Sequence, residues 1–184
     1  MQSSADTLPA AVATRRPEAV ARTVAEDGAL LALACVLGIV ESWVPSPVPG
    51  VRLGLANAAI LVVLVRSGWV RAFRLSVARV ALVGLATGTL FGPVCALSIS
   101  GAVASVSCMA AARRIPGLSV MGVSVVGAFT HVAAQLIAAS VLVASGAVVA
   151  LATPALLSSL PLGLATGAVA GALVSRLEGM HRRV

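Results

Sequence analysis

The chain has 184 residues, of which 59% are hydrophobic and 10% charged, and its formal net charge is +7. A water-soluble domain carries about a quarter charged residues, so the charge here is too sparse to cover a water-facing surface and the composition is that of a membrane protein. The positive balance is all arginine, spread between apolar stretches and not gathered on one basic face, which argues against nucleic acid as a partner.

Residues 1–28 are polar, with Asp6, Arg15, Arg16, Glu18, Arg22, Glu26 and Asp27. This segment is too long and too acidic for a secretory leader, and is expected to be a disordered cytoplasmic tail. Six apolar runs follow within 29–175, at about 29–44, 51–69, 73–91, 93–112, 119–144 and 154–175. A bilayer core needs roughly 20 apolar residues in a helix, so the expected fold is all-α, a six-helix transmembrane bundle. Gly and Pro mark the breaks at Gly92-Pro93, Pro116-Gly117, Ser145-Gly146 and Pro154. In the second run Arg52 and Arg66 enclose only thirteen residues, and snorkelling of Arg66 would let it span. Residues 176–184 read as a short basic cytoplasmic tail.

Arginine placement sets the orientation. Arg15, Arg16 and Arg22 precede the first run, Arg66, Arg71 and Arg74 follow the second, Arg113 and Arg114 follow the fourth, and Arg176, Arg182 and Arg183 close the chain. The alternate connections hold only Arg52. Both termini are therefore expected in the cytoplasm.

Small residues at four-residue spacing let membrane helices approach closely. Gly163, Gly167 and Gly171 form such a stripe, as do Gly84 with Gly88 and Ala34 with Gly38 and Ser42. Helix packing within the bundle accounts for them, and the first-helix stripe is also suited to a partner membrane subunit. Cys35, Cys95 and Cys108 lie inside apolar runs without metal-ligand spacing and read as small core residues.

Ionisable and amide side chains at membrane depth usually face a cavity or a partner. Glu41, Asn57, Arg79, His131 and Gln135 are of this kind. His131 and Gln135 are one turn apart and share a face with Ser124, Gly127 and Ala128, which suits either a polar ligand pocket or an interhelical hydrogen bond. Arg79 is expected to snorkel to the cytoplasmic headgroups. Between Glu41 and Arg52 the stretch WVPSPVPG places Pro45, Pro47 and Pro49 at alternate positions before Gly50. Residues before proline favour extended conformations, so a stiff strap is expected there, with a charge at each end.

Catalytic patterns are missing. Aspartate occurs only at Asp6 and Asp27, there is no aspartate-rich diphosphate site, and a chain without lysine has no P-loop. No metal or cofactor is called for.

The stretches ESWVPSPVPGVRLGLAN (41–57), GTLFGP (88–93) and GVSVVGAFTHVAAQL (122–136) resemble the bacterial Gx transporter family, also labelled heptaprenyl diphosphate synthase component I. That family usually has lysine where Arg52 stands. The resemblance extends in fold to the substrate-binding S components of energy-coupling factor transporters. It implies uptake of a small molecule, with the strap WVPSPVPG between Glu41 and Arg52 as an outer lid over a pocket involving Glu41, Arg52, Asn57, His131 and Gln135. It also implies a cytoplasmic-membrane location, and a separate scaffold subunit with ATPases supplying energy. The second label implies a different role, as a membrane accessory of a soluble prenyl diphosphate synthase.

Overall fold

The computed structural model describes residues 10–43, 54–143 and 147–181. These form six helices, α1 (Ala10–Trp43), α2 (Asn57–Ser67), α3 (Trp69–Ala86), α4 (Pro93–Ala112), α5 (Val120–Val143) and α6 (Ala147–His181), with no strand among the described residues. Four helical stretches are long and apolar enough to cross a membrane, Val20–Trp43, Pro93–Ala112, Val120–Val143 and Ala152–Arg176.

α2 stands in the middle and touches every other helix. Around it α1 packs on α3, α3 on α4, α4 on α5 and α5 on α6. The ring is open at one place, because α1 and α6 do not meet among the described residues. There Leu37, Leu55, Ala58, Ala165, Thr166 and Val169 line an apolar crevice of about 150 Å³ floored by the start of α2. Central placement explains the composition of α2. Asn57 through Leu64 are all buried, so no side of this helix needs to be polar.

Local chemistry sets the helix ends. Gly68 ends α2 with φ at 86°, a conformation that favours glycine, and its N–H donates to Leu64 O at 3.2 Å. The end of α2 is also held from α4: the Arg113 guanidinium donates to Leu64 O and, at 2.7 Å, to Val65 O. Pro93 begins α4 at a position where its missing N–H leaves no bond unmade. Ser119 caps the start of α5, accepting the Gly122 N–H at 3.1 Å.

Several expected boundaries move. Gly54, with φ at 91°, keeps the chain non-helical ahead of α2. That leaves α2 with 11 residues, about 16 Å of helix against a hydrocarbon core of about 30 Å. α3 starts at Trp69 and not near 73, and ends at Ala86, so the residues up to Phe91 form the turn into α4. α6 begins at Ala147 and runs through Pro154 and Pro161. Each proline removes one backbone hydrogen bond, a loss that membrane helices tolerate when neighbours or side chains re-satisfy the freed groups. At the other end of the chain, residues 10–28 are the first part of α1.

The small residues have distinct surroundings. A Cβ on Gly163 would stand 2.9 Å from Val125 Cα, and one on Gly167 2.9 Å from Met121 Cα, so both face the α5 backbone. Gly38 faces Val83 of α3, and Ala34 is fully buried. The α1 stripe is thus covered within the chain up to Gly38, while Ser42 is exposed. Gly171 has open space around it. Gly84 meets Leu90, the residue that folds back from the turn. Gly88 corrects the helix-packing expectation: it lies beyond α3 with φ at 67° and nothing within 4 Å of its Cβ position, so it serves the turn.

Candidate functional site

Glu41 is the only acidic residue between Asp27 and Glu178, and it is 4% exposed. It sits near the end of α1 and its Oε1 accepts the backbone N–H groups of Gly54, at a short separation, and of Leu55 at 3.3 Å. An acid in this apolar chain is thereby used to hold the backbone that leads into α2. The neighbourhood of Gly54 brings two further polar groups in. A Cβ there would stand 3.1 Å from Asn57 Nδ2 and 3.6 Å from His131 Cδ2.

Asn57 opens α2 and donates through Nδ2 to Ser105 Oγ of α4 at 3.1 Å. Ser105 in turn donates to Gly127 O of α5 at 2.9 Å. One turn before Ser105, Gly101 lets α4 close onto α5. Its Cβ would stand 2.9 Å from both His131 Cε1 and Gln135 Cγ. His131 and Gln135 are 1% and 0% exposed. The ends of α1 and α2 and the middles of α4 and α5 thus bring Glu41, Asn57, Ser105, His131 and Gln135 into one buried polar group.

Arg79 departs from expectation. It is 4% exposed, and it does not snorkel. α3 begins earlier than expected, so Arg79 lies about 15 Å along it, too deep for its stem to bring the head out. Its Nη1 lies 3.9 Å from the Cβ position of Gly38, one turn before Glu41 on α1. Ser76, one turn earlier on α3, is also buried, and its hydroxyl has no hydrogen-bond partner among the described residues. Arg52 and the strap residues Pro45, Pro47, Pro49 and Gly50 lie outside the described residues.

Three members of this group carry no signal in the sequence reading: Gly54, Gly101 and Ser105. Glycine and serine are ordinary filler in membrane helices, and these serve through the contacts they permit. The spacing Ser98, Gly101, Ser105, which puts small and hydroxyl side chains on one face of α4, is the pattern that marks the two on α4.

Residues 30–174 match the family described as heptaprenyl diphosphate synthase component I. The chain belongs to this family. No curated protein and no solved structure matches it. The match takes in every residue of the buried polar group, from Glu41 on α1 to Gln135 on α5.

Chemically, the group offers a carboxylate, a carboxamide pair, an imidazole and a hydroxyl within a hydrocarbon surrounding, with a guanidinium one helical turn away. Among the described residues no three His, Cys, Asp or Glu side chains gather as metal ligands. Cys35, Cys95 and Cys108 are free thiols, Cys95 buried and the others half-buried. A nucleophile–base–acid arrangement is not part of this group. Its capacity is for hydrogen bonding in a low-dielectric interior, where each properly paired polar contact is strong and an unpaired one is costly.

Proposed function

We propose that this chain is a multi-pass component of the bacterial cytoplasmic membrane that binds a small molecule for uptake, as an S component does, and draws its energy from partner subunits. The observation that carries this reading is the convergence of Asn57, His131 and Gln135 on Gly54 and Gly101, with Glu41 holding the backbone at the mouth of α2. Polar side chains from four helices brought together at membrane depth are costly unless they serve a ligand or each other. The strap between Glu41 and Arg52, with Pro45, Pro47, Pro49 and Gly50, would cover this site from outside, and Arg52 would supply its positive charge. All six helices would cross the bilayer, with both termini in the cytoplasm.

Uptake of a panel of labelled solutes by whole cells or proteoliposomes tests the reading, comparing the unaltered chain with His131→Ala and Arg52→Ala. Loss of uptake of one solute in both variants supports it. Unchanged uptake of every transported solute in both variants would falsify the pocket.

The family's description favours a second reading, in which the chain is a membrane accessory of a soluble heptaprenyl diphosphate synthase. Co-purification with such a synthase, and a change in its product length when this chain is deleted, are the expected signs. Failure of the two to associate would rule it out.

A further inference from the structure

The Asn57 carboxamide turns its nitrogen toward α4. A serine hydroxyl has one proton, and Ser105 gives it to Gly127 O at 2.9 Å. The carboxamide nitrogen of Asn57 lies 3.1 Å from Ser105 Oγ and donates to it, and Ser105 Oγ accepts there while its own proton goes to Gly127 O. The remaining atom, Oδ1, is therefore an acceptor in a residue 5% exposed, and no described residue donates to it. Native proteins rarely leave a buried carbonyl oxygen in this condition.

We propose that Asn57 Oδ1 selects the ligand, which brings an N–H or O–H donor to it, and that Ser105 is a positioning residue holding the amide in this direction. The inference rests on the reading of the buried polar group as a ligand site. It narrows that reading to amides, imides, amines or alcohols at this position. A group that only accepts, such as a carboxylate or a fully ionised phosphate or diphosphate, would set oxygen against oxygen there. A diphosphate headgroup thus does not fit against Asn57.

The test uses the full chain in mild detergent and a set of fragment pairs. Each pair is a donor-bearing amide or imide with its N-methylated twin, such as uracil with 1,3-dimethyluracil and benzamide with N,N-dimethylbenzamide. Affinity is read by titration. The donor-bearing member should bind at least about tenfold more tightly than its twin, because a site built to pair a polar group rejects the analogue that lacks it. Asn57→Leu should remove that preference. Ser105→Ala retains the carboxamide but frees it to turn, and should bring the paired affinities to within about threefold. A purely structural Ser105 would weaken both members alike and leave their ratio unchanged, which overturns the inference. Should Asn57→Leu fail to give a monodisperse protein, the ratio in Ser105→Ala decides alone. Equal binding of both members to the unaltered chain overturns the donor requirement and leaves the pocket standing. Binding of no fragment at all overturns the ligand site and the inference with it.

Discussion

At the scale of single residues, Gly101 permits the close approach of α4 and α5, and so fixes how the imidazole and the second carboxamide lie. Its Cβ position is 2.9 Å from His131 Cε1 and from Gln135 Cγ, closer than side-chain atoms normally approach. Gly101→Ala should therefore displace both side chains and lower unfolding stability by about 1–3 kcal/mol, the usual range for overpacking. Adding His131→Ala should restore part of that loss, because the clash partner is gone. Unfolding of the two single variants and the double variant measures this coupling, and strict additivity would show that the contact does not matter. Glu41, Asn57, His131 and Gln135 were legible in the sequence because polar side chains stand out in apolar runs. Ser105 and Gly101 were not, since their importance lies in which neighbours they meet. The depth of Arg79 was misread for a related reason. Its distance from the membrane surface depends on where α3 starts, and Gly68, not the charges around it, sets that start.

Among the elements, α2 depends most on the others. Its 11 residues are too few for an isolated helix to be stable in water, and its last carbonyls are held by Arg113 from the end of α4. Arg113→Ala should destabilise the chain by about 1–2 kcal/mol, reduced from the full value of a charged hydrogen bond because Arg113 is exposed. Arg113→Lys should recover little, since a single ammonium does not reproduce a planar fork across two carbonyls. Thermal unfolding in detergent would show the difference. The α5–α6 interface makes a different demand. Gly167 faces Met121 Cα at 2.9 Å and Ser124 Cβ at 2.8 Å, and Thr166 beside it shares a 3.0 Å hydrogen bond with Ser124. Gly167→Leu should force the helices apart and reduce the folded yield, while Gly171→Leu, with open space at its Cβ position, should not. Helix class and the long apolar spans could be read from run length. The position of α2, surrounded on every side, was not readable, because a uniformly apolar run gives no direction. Pro154 read as a break for a similar reason, since the rule that proline ends a helix weakens inside a membrane bundle.

At the scale of the whole molecule, the α2–α3 hairpin can meet the bilayer in two ways. Four helical stretches are long and apolar enough to cross, while α2 is short and α3 carries Arg71, Arg74 and Arg79. Two topologies follow. Either the hairpin crosses, giving six spans, or it dips in from the outer face between α1 and α4. The proposed function takes the first. Arg113, at the end of α4, reaches Leu64 O and Val65 O, and Arg66 pairs with Glu26 of α1 at 3.5 Å. The tip of the hairpin is therefore level with the arginine-bearing end of the long helices. Phe91, 99% exposed in the turn before α4, lies toward the opposite end. Single cysteines at Ser67 and Phe91, in a chain whose Cys35, Cys95 and Cys108 are replaced by alanine, would separate the two topologies. With an impermeant maleimide, Phe91→Cys should be labelled on intact cells, and Ser67→Cys only once the membrane is opened. Labelling of Ser67→Cys from outside, with Phe91→Cys labelled there too, would establish the dipping hairpin. Labelling of Phe91→Cys only from within would reverse the orientation that the arginines set. The six-span outcome would set the middles of α4 and α5, with Ser105, His131 and Gln135, near mid-membrane, the depth at which the proposed ligand site would lie.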